Sequence, residues 1–216
     1  MTTRLTHGQA VALGKHLGAT FGSATVLTPD DPSVIFGYAM LDGFGALIPG
    51  AADVVDSIRT RTEHVSITIP TPIGTEIILA PAAVATPEGY AETISHECEH
   101  ADQVTELGGL ASVRDYLGSG ELRATREGRA YATGVWTRYL LTGVLPTIDD
   151  AMSPMATGLY HLAHGDLELA RGIVTSALAS IAAGAMPPSR VALAVLSWLR
   201  QHAPDAIVPP AWQVRP

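Results

Sequence analysis

Ser-His-Glu-Cys-Glu-His, residues 95–100, is the stretch that decides how the chain is interpreted. Histidines four residues apart lie one above the other on a helix, so His96 and His100 can direct both imidazoles at one point. That spacing suits two ligands of a tetrahedral zinc ion, with Glu97 placed to act as general base on a water there. The stretch therefore predicts a metal site on a helix.

The helix that carries this motif has start and stop signals at both ends. Residues 86–88, Thr-Pro-Glu, supply a capping threonine, a proline at the first helical position and an acid in the first turn. The glycines at 108–109 predict that the helix ends near Glu106. Helical spacing turns Ile94 and Cys98 toward the core, on a different side from the two histidines.

The same helix is strongly acidic, which supports an alternative interpretation. The two histidines would then be ordinary surface residues on a solvated face formed by Glu92, Glu97, Glu99, Asp102 and Glu106. The two interpretations differ in whether these acids are exposed.

A β-hairpin is predicted just before the motif. Residues 64–69 alternate apolar and polar side chains, and a second run at 75–79 follows, with a connection of five or six residues. A strand in this position would hold an extended substrate by strand addition. Ser33 to Met40 is compatible with a further strand.

A catalytic zinc ion takes three protein ligands, so a third must come from another element. The helix predicted over 121–141 offers Glu121 and Glu127. Glu127 is preferred because it lies mid-helix, where Gly128 and Ala130 allow two helices to approach closely. Glu121 lies in the first turn, where the helix dipole already explains an acid.

The motif helix, a short connection and Glu127 on the next helix together resemble the gluzincin branch of zinc metallopeptidases. The chain is also similar to small bacterial and phage-encoded families with a downstream Glu-x-x-Ala-Tyr, matched here by Glu127, Ala130 and Tyr131. The resemblance covers about residues 64–141. The site residues that it implies are the zinc ligands His96, His100 and Glu127 and the general base Glu97.

The activity that this resemblance implies is zinc-dependent hydrolysis of peptide bonds by an activated water. An oxyanion is usually stabilised by an additional side chain. Tyr131, one turn after Glu127, is the nearest candidate by sequence, and Arg123 and His161 are alternatives.

The fold class predicted is α+β and mostly helical. A zincin-like core is expected over about 64–142, with a small N-terminal hairpin or sheet, and a C-terminal helical bundle over about 149–204, in a single domain spanning 1–216. The helices expected outside the motif helix run over about 6–17, 49–61, 110–117, 121–141, 155–164, 166–183 and 189–201.

A second hypothesis belongs to a different class of protein. The chain would be a structural or assembly protein, such as a phage virion component, that keeps a zincin fold and a structural or vestigial zinc site. Glu99, at a motif position that is usually uncharged in these peptidases, and the Ala- and Gly-rich C-terminal third favour it. Its partners would be a virion assembly or further copies of the chain.

Composition excludes other classes of partner. The 216 residues carry a formal net charge of −8, which gives no electrostatic footprint for nucleic acid or for an anionic membrane. Cys98 is the one cysteine, so no internal disulfide is expected. Without a signal peptide or membrane span, the expectation is a protein that is cytoplasmic as synthesised, with Zn²⁺ as cofactor and a peptide or protein substrate.

Overall fold

The computed structural model describes residues 5–21, 24–27, 34–48, 51–60, 66–71, 74–158, 160–185 and 189–208. The helices are α1 (His7–Thr20), α2 (Val34–Leu47), α3 (Ala52–Thr60), α4 (Pro87–Leu107), α5 (Gly109–Gly118), α6 (Gly120–Thr142), α7 (Ile148–Ala156), α8 (His164–Ala182) and α9 (Arg190–His202). The strands are β1 (Ala24–Leu27), β2 (Ile67–Thr71) and β3 (Gly74–Ile78). The mostly helical α+β class is therefore confirmed. Within these ranges, no helix is both long and apolar enough to cross a membrane.

The sheet has the strand order β1-β3-β2, with β1 parallel and β2 antiparallel to β3. The β2–β3 pairing confirms the predicted hairpin, but it continues to Thr71 and Gly74, so residues 72–73 alone connect the strands. The predicted connection of five or six residues was wrong, because a proline such as Pro70 is tolerated on an edge strand and does not stop the pairing. Residues 64–65, where the first strand was expected to begin, lie outside the described residues.

The segment expected as a strand from Ser33 to Met40 is helical. Helix α2 covers it from Val34 onward, and Ser33 lies outside the described residues. A short apolar run is compatible with a buried strand or a buried helix, and periodicity alone does not separate them. The third strand of the sheet is instead β1, for which the sequence offered no distinct signal.

The helix expected from Met155 to His164 is also wrong. Helix α7 ends at Ala156 and α8 begins at His164. Between them Gly158 and His161 have positive φ angles of 75° and 47°, which a right-handed helix does not contain. The intervening loop carries Tyr160 toward the motif helix.

Close packing of α4 against α6 brings the motif to its neighbours. A Cβ added at Gly134 would lie 3.2 Å from the Glu92 carbonyl oxygen and 3.6 Å from the His96 Cβ, so a larger residue there would crowd the backbone of α4. Gly128 also allows two helices to approach closely, as expected, but the second helix there is α8 and not the motif helix. Gly128 faces α8, where an added Cβ would lie 3.1 Å from the Ile173 Cβ. Helix α6 is therefore held closely on two sides.

The apolar side of α4 faces the core as predicted. Ile94, Cys98 and Ala101 are fully buried in the larger hydrophobic cluster, which joins α1, α4, α6, α8 and α9. A smaller cluster, which includes Ile69 and Val113, packs the sheet against α5. The opposite side of α4, with both histidines, is left to face a cavity between these clusters.

Candidate metal centre

The structure brings His96, His100 and Glu127 together. The two Nε2 atoms are 3.2 Å apart. His96 Nε2 lies 3.5 Å from Glu127 Oε2, and His100 Nε2 lies 3.4 Å from Glu127 Oε1. Glu127 is 2% exposed, and the histidine side chains are 13% and 14% exposed. This group of two imidazoles and one carboxylate could hold a metal ion.

These distances of 3.2, 3.4 and 3.5 Å, with a different Glu127 oxygen nearest each histidine, are close to the ligand spacing around a tetrahedral zinc ion. With metal–ligand distances of about 2.0–2.2 Å, two ligand atoms of such an ion lie about 3.3–3.6 Å apart. Glu127 Oε1 accepts a 2.6 Å hydrogen bond from the Tyr116 hydroxyl. Its Oε2 is buried and has no hydrogen-bond donor among the described residues. A buried carboxylate oxygen without a donor is costly, and a cation would offset that cost.

The tautomer of His100 is determined by its neighbours. Gln103 Nε2 donates to the Arg126 carbonyl oxygen at 3.3 Å, so Gln103 Oε1 faces His100 Nδ1 at 3.1 Å. An amide oxygen only accepts, so Nδ1 carries a proton, and when Nε2 loses its own proton to a metal ion its lone pair is directed at the cluster. Partners of this kind orient metal-ligating histidines.

Electrostatics couple His100 to Glu127. Burial by itself would lower the pKa of His100, but the negative charge and hydrogen bond of Glu127 outweigh it and raise that pKa to about 9. Burial works against the charged form of Glu127 as well, yet the paired histidines hold its pKa well below the usual range. Without a metal ion, the pair is therefore an imidazolium and a carboxylate at neutral pH.

Glu97 lies beside the cluster and is 3% exposed. Its Oε2 accepts a 2.7 Å hydrogen bond from Thr68 Oγ1 on β2. Glu97, both histidines and Glu127 line a common cavity of about 90 Å³. A carboxylate held by a neighbouring hydroxyl within a cavity is suitably placed to exchange a proton with a small molecule there.

Three tyrosines surround the cluster, and sequence reasoning found one of them. The Tyr131 ring contacts the His96 ring edge-on, with centroids 4.6 Å apart, and its hydroxyl lies 3.0 Å from the Tyr160 hydroxyl. Tyr116 and Tyr160 line the cavity, whereas Tyr131 does not. Burial, followed by the charge of Glu127, raises the pKa of all three, so the hydroxyls stay protonated as donors.

The structure explains why Tyr116 and Tyr160 were missed. Tyr116 comes from α5, a helix that was predicted correctly but carried no motif, and its contact with Glu127 depends on how α5 docks. Tyr160 comes from the loop that was mistaken for helix. No local pattern in the sequence marks either residue.

The alternative residues lie elsewhere. Glu121 is exposed in the first turn of α6, away from the cluster. The Arg123 guanidinium donates to the backbone carbonyls of Tyr116 and Tyr160, at 2.6 Å each, and is therefore occupied. The exposed His161 has its Nε2 2.5 Å from Ser57 Oγ and does not line the cavity.

Glu99, the unusual charge within the motif, is not solvated. It is 1% exposed, and its Oε2 accepts hydrogen bonds from Ser189 Oγ at 2.5 Å and Thr133 Oγ1 at 3.1 Å. Its Oε1 lies 3.1 Å from Arg129 NH2. Asp102, 2% exposed, pairs with Arg190 at 2.8 Å. The alternative of a solvated acidic face is therefore wrong for Glu99 and Asp102, which join α4 to α6 and to the start of α9, although Glu106 on the same helix is exposed.

Replacing Glu99 by Ala should lower the free energy of unfolding by about 2–4 kcal/mol, because two buried hydroxyls lose their acceptor. The half-exposed Arg129 contributes little to this figure. Urea unfolding of the metal-free protein measures the change. Glu106→Ala, an exposed acid on the same helix, is the matched control. A loss no greater than that of the control would contradict a structural role for Glu99.

The chain was compared with protein-family models, curated proteins and solved structures, and nothing matches. The gluzincin resemblance carried by His96, Glu97, His100 and Glu127 therefore stays a prediction. The functional conclusion depends on the geometry of these residues.

Proposed function

We propose that the protein is a zinc-dependent hydrolase, specifically a metallopeptidase, with a zincin-like core. The observation that carries this proposal is the convergence of His96, His100 and Glu127 at zinc-like spacing beside the buried carboxylate of Glu97. Structural zinc sites take four protein ligands, and catalytic sites take three and keep one position open. A site with three protein ligands that faces a cavity favours a catalytic over a structural role.

Each residue would have a distinct part in the reaction. His96, His100 and Glu127 would hold the metal, and a bound zinc ion would supply Lewis acidity toward water and a substrate carbonyl. Glu97 would accept the proton of the attacking water and return it to the leaving amine, held in position by Thr68.

The oxyanion donor that the geometry favours is Tyr160 rather than Tyr131. Tyr160 lines the cavity and Tyr131 does not, and the two hydroxyls are 3.0 Å apart. The Tyr131 hydroxyl can accept a hydrogen bond from the Tyr160 hydroxyl. Alternatively it donates to Tyr160, which leaves the Tyr160 proton free to point toward the cavity. A protonated phenol near the cluster is a suitable donor to a developing negative charge.

The substrate would lie along β2. This strand is at the edge of the described sheet, and residues 66–70 line the cavity. The free edge of a strand can pair with an extended peptide through main-chain hydrogen bonds. A peptide or protein segment in extended form is therefore the proposed substrate class.

Metal analysis of the purified protein tests the first part of this proposal. About one zinc ion per chain is expected after purification without chelators, and less than about 0.2 would contradict the metal site. Hydrolysis of a mixture of internally quenched fluorescent peptides tests the second part. Zinc without hydrolysis of any peptide, together with a lower melting temperature for His96→Ala, would favour the structural or assembly protein instead.

Zinc affinity should depend on pH through His100. Its pKa is raised to about 9, so below that value the ring is protonated and zinc must displace the proton. Affinity is expected to rise about tenfold per pH unit up to about pH 9 and then level off, with about one proton released per zinc. Competition with a chromophoric chelator across this range measures the slope. An affinity that is unchanged with pH would contradict the His100–Glu127 pairing.

A further inference from the structure

The cavity beside the cluster also contains a cation. Arg126 lines it, and the Arg126 side chain is 9% exposed. Its NH1 donates to the Ser112 carbonyl oxygen at 2.6 Å and to Ser112 Oγ at 3.0 Å. Its Nε and NH2 make no hydrogen bond with any residue in the described ranges. Part of this guanidinium is therefore available to a ligand.

The nearest acid neutralises Arg126 only weakly. Asp115 Oδ2 lies 3.8 Å from Arg126 NH2, too far for a hydrogen bond. Asp115 Oδ1 is already held by Arg114, at 2.7 Å from NH2 and 3.0 Å from Nε. Burial lowers the pKa of Arg126, and Asp115 only partly opposes that effect. A buried charge with a distant partner is costly, and an anion arriving at the guanidinium would offset the cost.

Arg126 and the metal cluster are connected through helix α5. Ser112, which holds the guanidinium, is four residues before Tyr116, which donates to Glu127. Ser112 and Tyr116 are thus one turn apart on α5, and Arg126, His96, His100 and Glu127 line the same cavity. The walls around them include the apolar side chains of Leu41, Ile67, Ile69, Val104, Val113 and Leu117.

We infer that Arg126 binds a carboxylate of the substrate, either the α-carboxylate of an apolar C-terminal residue in the cavity or the carboxylate of an acidic side chain that enters it. This inference rests on the proposed function and specifies its substrate. A cavity of about 90 Å³ has room for roughly six to nine water molecules, so the part of the ligand inside it is about the size of one residue. The α-carboxylate of a C-terminal residue could reach the guanidinium within this cavity, and an acidic side chain offers the same chemistry. The planar guanidinium suits either, because it can donate two parallel hydrogen bonds.

Three synthetic ligands with the same zinc-chelating hydroxamate test this inference on the zinc-loaded protein. The first carries a leucine with a free carboxylate, the second a leucine amide and the third a glutamate amide. We expect the first to bind at least about tenfold more tightly than the second. If the glutamate amide binds more tightly than the leucine amide, and the leucine with a free carboxylate does not, the carboxylate comes from an acidic side chain. That result also supports the inference.

Variants test whether the preference for the free carboxylate depends on Arg126. In Arg126→Gln the preference for the free carboxylate over the amide should disappear. Arg126→Lys should keep only part of it, because lysine lacks the planar fork. Arg114→Gln is the matched control, since Arg114 also pairs with Asp115 but is 69% exposed and does not line the cavity. Should Arg126→Gln not fold, the wild-type preference and its reduction in Arg126→Lys decide the question.

The outcomes separate this inference from the proposed function. Equal binding of all three ligands by the wild-type protein would overturn the role of Arg126 and leave the metallopeptidase intact. A preference that persists in Arg126→Gln would also overturn it. A protein that binds zinc but none of the hydroxamates, or that binds no zinc, would overturn the proposed function and this inference with it.

Discussion

Replacing Glu97 by Gln should lower peptide hydrolysis by about 100- to 10,000-fold, while the protein still binds one zinc ion. Gln is nearly isosteric with Glu and can still accept a hydrogen bond from Thr68, which donates to Glu97 Oε2 at 2.7 Å. It does not accept a proton from water at neutral pH, so only the acid–base step is removed. Initial rates on the best fluorescent peptide, measured beside zinc content, test this expectation.

Glu92→Gln is the matched control for that experiment. Glu92 lies one turn before His96 on the same helix, pairs with Arg138 at 3.3 Å and does not line the cavity. Its replacement should leave the rate within about twofold of wild type, as is usual for an exposed pair. A Glu97→Gln protein as active as Glu92→Gln would refute the general-base role. An inactive protein without zinc would show that Glu97 supports the site rather than the reaction.

Glu127→Gln should weaken zinc binding by at least about 100-fold, which is the upper range for loss of a partner that merely orients a ligand. The amide removes the negative charge that partly neutralises the metal, and it presents a weaker donor atom at the buried position of Oε2. The same change removes the partner that raises the pKa of His100. The pH dependence of zinc affinity should therefore become shallower in the variant.

Glu121→Gln distinguishes the two acids that the sequence offered as third ligand. Glu121 is exposed at the start of α6, so its replacement should leave zinc affinity unchanged. Competition with a chelator at one pH compares both variants directly. Loss of zinc in Glu121→Gln, with retention in Glu127→Gln, would contradict the assignment of the ligands.

Local signals in the sequence predicted the motif helix well. The Thr86 side chain caps α4 through the Gly89 amide at 3.0 Å, and Gly108 ends the helix with φ 82°. These features depend on neighbouring residues alone, so they can be read without knowledge of the fold. The side of α4 that faces the core followed from the same helical period.

Long-range contacts account for what the sequence did not predict. The loop containing Tyr160 is held by Arg123 from α6, through a hydrogen bond between residues 37 positions apart. Glu99 meets Ser189 across 90 positions, and no local pattern distinguishes that buried acid from a solvated one. The strand β1 exists because β3 offers it a parallel partner.

The sequence by itself determined the helix of residues 95–100, the shared face of His96 and His100, and the short list of acids that could join them. Helical geometry repeats every 3.6 residues regardless of context, so these relations are local. Only the tertiary structure decided that Glu127 meets the histidines, that Glu99 is buried and that Arg126 faces the cavity. Each of these depends on the packing of separate helices, where a glycine such as Gly134 sets the distance of approach.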